Sequence, residues 1–167
     1  MEAIKHIAHE NFTDEFILAA QYFSIFGYLT YVYMLIDRWI SKRYKNPYYF
    51  IHSLNNAIIV YYALPALSFS VKNLYNFKEY TGGPECVILT FALHAYHIIE
   101  YFNKLTYYDY LHHSTMCFVA LPLGICFNSG SLMDYSLFFL TGLPGAIDYM
   151  LLFLVRNNFI ENNRKKN

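Results

Sequence analysis

The amino-acid sequence predicts an all-α protein, a polytopic transmembrane helical bundle with about five spans. Three observations carry this. Of 167 residues, 56% are hydrophobic and 20% aromatic, and only 14% are charged, against roughly 25% in an ordinary soluble domain. Five stretches, 16–36, 50–71, 85–102, 111–127 and 132–155, approach the roughly 20 apolar residues that cross a bilayer as a helix. These runs also lack the regular alternation of charged and apolar residues found in the helices of a water-soluble bundle. Formal net charge is zero, which gives no basic footprint for nucleic acid. A single transmembrane domain, 16–155, is expected between a lumenal segment, 1–15, and a basic tail, 156–167.

The first stretch follows a segment with Glu2, Glu10, Asp14 and Glu15 against Lys5. No basic n-region precedes it, so it reads as a span and not as a cleaved leader. Trp39 lies at its end, as an interfacial anchor does. Asn11-Phe12-Thr13 is a glycosylation sequon on the expected lumenal side, or simply a polar lead into the helix. The second stretch begins after a basic loop with Arg38, Lys42, Arg43 and Lys45. The third and fourth are shorter and carry histidine. The fifth contains Thr141-Gly-Leu-Pro-Gly-Ala-Ile-Asp148, where Pro144 removes an N–H and Gly142 and Gly145 permit close helix approach.

Lys and Arg concentrate in the first loop and in the tail, with Arg156, Arg164, Lys165 and Lys166. The positive-inside rule therefore puts the N-terminus outside or lumenal and the C-terminus in the cytosol. The terminal Arg-Lys-Lys-Asn167 resembles a dilysine retrieval signal, which leans toward the endoplasmic reticulum or another endomembrane. The three cysteines, Cys86, Cys117 and Cys126, form no CxxC and read as small packing residues.

This topology gathers polar residues at one face of the membrane. His52 falls at the inner end of span two. His97 and His94 sit about 8 and 12 Å from the inner end of span three, and Asp148 about 10 Å from the end of span five. His112 and His113 open span four. Asp37, Glu100 and Asp109 lie near the same boundary, whereas Asp134 is expected in solvent near the outer end of span five. His94, His97 and Tyr101 share one helical face. Asp109 precedes His112 and His113 by three and four residues, so its carboxylate can orient an imidazole. The loop 103–108 is short, so spans three and four should be antiparallel neighbours whose histidines meet. Buried ionisable groups in a span point to function. For His52 an interfacial cap is the simpler reading, and for His94 and His97 cross-helix hydrogen bonding is an equal one. A helix break just before Asp148 can line a cavity or serve as a packing kink.

Between Arg43 and Val155 the residues resemble the TLC-domain family of ceramide-synthase-like endomembrane lipid proteins. His52, in Phe50-Ile-His-Ser-Leu-Asn-Asn-Ala57, resembles the family's early histidine. Tyr96-His-Ile-Ile-Glu-Tyr-Phe102 lies where that family has a Tyr/Asp-bearing span, and Asp109-Tyr-Leu-His-His113 resembles its double-histidine signature. Asp148 falls where ceramide synthases carry acidic residues. Their downstream Asn/Arg/Gly segment and His-Asp pair are missing, so the resemblance implies lipid handling more than ceramide synthesis itself.

Three functions follow as expectations. The first is a lipid acyltransferase: His112 or His113, with His97 close by, acts as general base on a lipid amine or hydroxyl, and Asp109 or Asp148 orients the imidazole. His52, His94, Tyr96 and Tyr101 would line the substrate site. Acyl-CoA as co-substrate is implied by the resemblance alone, and no resident cofactor is expected. The second is a non-catalytic lipid-binding, sensing or trafficking protein. The third is a membrane metal oxidase or hydroxylase, in which His94-x-x-His97 and Asp109-x-x-His112-His113 supply ligands. Membrane lipid is the expected partner in each case.

Overall fold

A computed structural model describes residues 2–120, 122–123 and 131–161, with side chains from residue 17 onward except Ala19. The sequon at Asn11, Cys126, and the basic residues Arg164, Lys165 and Lys166 fall outside the described side chains. The described residues form five helices and no strand, and each helix overlaps one of the five apolar stretches. Helix α1 is Glu2–Ile40, α2 is Pro47–Lys72 and α3 is Glu85–Tyr101. Helix α4 is Tyr107–Thr115, prolonged by a π-turn over Met116–Ala120. Helix α5 is Ser131–Arg156, with a π-turn over Phe138–Gly142.

Each boundary has a local cause. The backbone of α1 is helical well before residue 16, because Glu, Ala and Lys favour helix although they fail an apolar window. Asn46, in the left-handed region at φ 52°, turns the chain, and Pro47 starts α2 with its φ already helical. Thr106 and Asp109 form a capping box at the start of α4. Pro144 enters the last segment of α5 in its first turn, directly after the π-turn, so the missing N–H is absorbed where the ladder is already wide.

Helix α2 is central. It packs along α5 and against α3, while α1 lies on α3. Ser53 Oγ donates to the Ala146 carbonyl at 2.6 Å, and Gly145 faces α2 where an added Cβ would run into the side-chain amide of Asn56. The chain runs up and down, so the C-terminal ends of α1, α3 and α5 share one end of the bundle with the N-terminal ends of α2 and α4. There Asn157 bonds the backbone N–H and carbonyl of Lys45. Apolar clusters around Ile59, Cys86 and Phe138, and around Tyr33, Ile51 and Leu93, form the core.

Helices α2 and α5, each 26 residues, are long and apolar enough to cross a membrane. The outer surface is apolar in stripes. Phe139, Leu143, Ile147 and Leu151 recur every fourth residue on α5 and are exposed, as are Tyr28, Tyr31, Leu35 and Trp39 on α1. Two residues expected at the surface are buried instead. Asp134 is buried at 7% exposure instead of solvated, and His52 is buried at 6% instead of capping an interface. Hydropathy fixes depth along a helix but not its rotation, and both residues face inward.

Replacing Gly145 with Val should push α2 from α5 and destabilise the bundle by about 1–3 kcal/mol. Thermal unfolding in detergent checks this; an unchanged midpoint would mean that the contact is not close.

Candidate functional site

Five imidazoles meet at the polar end of the bundle. Helix α2 brings His52, α3 brings His94 and His97, and α4 brings His112 and His113. The His94 ring centroid lies 5.3 Å from that of His112 and 5.1 Å from that of His113. His113 meets His97 edge-on at 4.7 Å, and His97 meets His52 at 5.0 Å. The short α3–α4 connection thus does what its length implies and sets the two histidine-bearing helices side by side.

Two of the rings are oriented by their own helices. His52 Nδ1 lies 2.7 Å from the Tyr48 carbonyl, and His94 Nδ1 lies 2.7 Å from the Thr90 carbonyl, each one turn back. A carbonyl only accepts, so both Nδ1 atoms carry the proton and both Nε2 atoms present a lone pair. His94 Nε2, His97 Nδ1 and His113 Nδ1 are buried without a hydrogen-bond partner, as is the amide nitrogen of Asn55. Each such atom costs about 1–3 kcal/mol if left unsatisfied. All four residues line the same cavity.

Two cavities flank these rings. One, of about 680 Å³, opens among Asp37, Arg38, Tyr48, Glu100, Tyr101 and Lys104. The other, of about 200 Å³, is lined by His94, His112 and His113 and runs on to Ile59, Leu93 and Leu140. His52, His97, Asp109 and Tyr149 border both. Thr141 and Gly145 reach the smaller cavity from α5. The irregular stretch of α5 therefore does line a cavity, but Asp148 is exposed and borders neither.

The tyrosines are divided in role. Tyr96, fully buried, donates its hydroxyl to Asp37 Oδ2, and Tyr101 donates to the same oxygen at 2.6 Å. Tyr101 also borders the larger cavity, whereas Tyr96 borders neither. Asp109 is occupied as a cap: its Oδ2 accepts the Thr106 N–H at 2.8 Å and the Thr106 hydroxyl at 2.7 Å. These bonds hold the Asp109 carboxyl below the usual carboxylate range. It faces the histidines as a nearby negative charge, and its hydrogen bonds go to Thr106. Tyr48, Asn55, Asn56 and Tyr149 join the site although the sequence reading passed over them. The asparagines were visible as a polar pair one turn after His52, and Tyr149 as the residue one turn beyond Gly145.

Comparison with protein-family models, with curated proteins and with solved structures finds no match to this chain. Among the described residues, fold and site define a five-helix bundle with a histidine cluster, buried at His52, His94 and His113, between two cavities.

Thr106→Ala should expose the first turn of α4 by about 1 kcal/mol, roughly a fivefold rise in amide exchange at neutral pH. A depressed carboxylate stabilises above the unfolded aspartate value of about 3.9 and loses that contribution as pH falls through its folded value. The difference between variant and wild type should accordingly narrow below about pH 4. A gap that is equal at both pH values would remove the carboxylate from the cap.

Proposed function

We propose that the chain is an integral membrane protein of endomembranes that handles lipid, and that its histidine centre transfers an acyl group to a lipid amine or hydroxyl. All five helices cross the bilayer in this reading, with the C-terminus cytosolic. The exposed apolar stripes on α1 and α5 support it, since apolar patches of that kind are unfavourable in water.

The observation that carries the chemistry is His97, which borders both cavities and whose Nδ1 is buried without a hydrogen-bond partner. An acceptor hydroxyl or amine enters beside His97, and an activated acyl ester or thioester brings its carbonyl to the same point. His97 takes the acceptor proton as the new C–O or C–N bond forms, and the leaving group departs with its electron pair and recovers that proton. The neutral imidazole is suited to this, because the same nitrogen accepts and then returns the proton. Tyr48 stacks on His97 at 5.4 Å and holds the ring. The apolar end of the smaller cavity suits the start of an acyl chain, and the larger cavity, lined by Lys104, Asp37, Asp109 and the Arg38–Glu100 ion pair at 3.4 Å, offers a polar surface to the head group.

The test is product formation by the purified protein in liposomes, given long-chain acyl-CoA and a panel of lipid amines and hydroxyls. His97→Ala should lower turnover about 100-fold or more, with the protein still folded by circular dichroism. Equal turnover in wild type and variant would remove His97 from the chemistry. Lipid bound stoichiometrically but never turned over would replace acyl transfer with the non-catalytic lipid-binding reading.

A further inference from the structure

We propose that His94, His112 and His113 bind one divalent transition-metal ion, with zinc the best fit, in an open three-nitrogen site on the wall of the smaller cavity. The three side chains each offer one ligand atom, and these atoms lie within 4.8 Å of one another. Metal–imidazole bonds of about 2.0–2.1 Å place nitrogens about 3.3 Å apart, so modest rotation of the rings closes the site.

Three features point to a metal and not to a packing cluster. First, the Thr90 carbonyl fixes His94 with its proton on Nδ1, which leaves Nε2 with its lone pair free. A backbone carbonyl behind a ligating imidazole is the usual outer support of a metal-bound histidine. Thr90 is itself held, donating to the Cys86 carbonyl at 2.7 Å. Second, His94 Nε2 and His113 Nδ1 are buried without a partner, and both residues are more than nine-tenths buried. A single cation satisfies both. Third, His112 is exposed at its outer side and can turn toward the other two rings without unpacking the bundle.

The donor set selects the ion. Three neutral imidazoles without thiolate suit zinc and its first-row neighbours and not magnesium or calcium, which prefer oxygen. Three protein ligands also leave a fourth position open to the cavity, the arrangement of a reactive and not a structural site. His97, edge-on to His113, stands next to that position. The inference is independent of acyl transfer, because an ion can be counted whether or not any lipid is turned over.

The experiment is zinc content of the full chain, purified in detergent without a polyhistidine tag, stripped with chelator, reloaded with zinc chloride and desalted. Elemental mass spectrometry should find about one ion per chain, with His112→Ala and His94→Ala each losing it and Asp148→Asn keeping it. Because His112 is exposed, its variant should fold even if His94→Ala does not. Cobalt in place of zinc should give the visible absorption of a tetrahedral site, absent in His112→Ala. Less than about a tenth of an ion per folded chain, or equal content in wild type and His112→Ala, would overturn the site.

Discussion

The buried carboxylate of Asp37 is the joint on which the polar end of this bundle turns. It lies at 5% exposure near the end of α1 and accepts the hydroxyls of Tyr96 and Tyr101 from α3. Burying such a group is tolerable only with donors in place, so the pair of tyrosines and the carboxylate require each other. Tyr96 and Tyr101 share α3 with His94 and His97. Fixing the rotation of α3 against α1 therefore fixes which way the two histidines face. If α3 turned by one residue, about 100°, the imidazoles would leave α2 and α4, and the centre would not form. Tyr33, edge-on to Tyr96 and donating to Asn55 at 2.6 Å, carries the same constraint on to α2.

The other half of the centre depends on backbone proximity. Helices α2 and α5 meet at Gly145 and at the Ser53–Ala146 hydrogen bond. The π-turn just before that contact widens α5 and admits Thr141 to the cavity wall. Tyr149, one turn later, packs on His52 at 4.7 Å. One side of the site is thus held by a charged hydrogen-bond joint and the other by the absence of a side chain.

Much of this was legible in the sequence. Five apolar runs gave five helices, because helix formation in such runs needs no long-range information. The spacing of His94, His97 and Tyr101 placed them on one face, and the short α3–α4 connection made those two helices neighbours, so that their histidines could meet. What the sequence did not reveal is rotation and pairing. Asp37 read as one of several boundary acids, yet among the described residues it is the one held by two tyrosines. Asp148 and Asp134 both lie in one apolar helix; the first faces outward and the second inward, and periodicity in so uniformly apolar a segment does not distinguish them. Asp109 had two possible uses three residues from either neighbour. The local one, capping with Thr106, took its hydrogen bonds, because a cap forms within a single turn and needs no docked partner.

The bonds from His52 to Tyr48 and from His94 to Thr90 have a consequence for assembly. Each is made inside one helix, four residues apart. The tautomer of both rings is therefore chosen when the isolated helix forms, before any helix meets another. Helix α4 likewise arrives with its own cap complete. Chains that insert their helices singly and associate them afterwards would bring together parts whose chemistry is already set. Docking then needs to supply distance and rotation, and an early pairing error would be reversible without a proton having to move on His52 or His94.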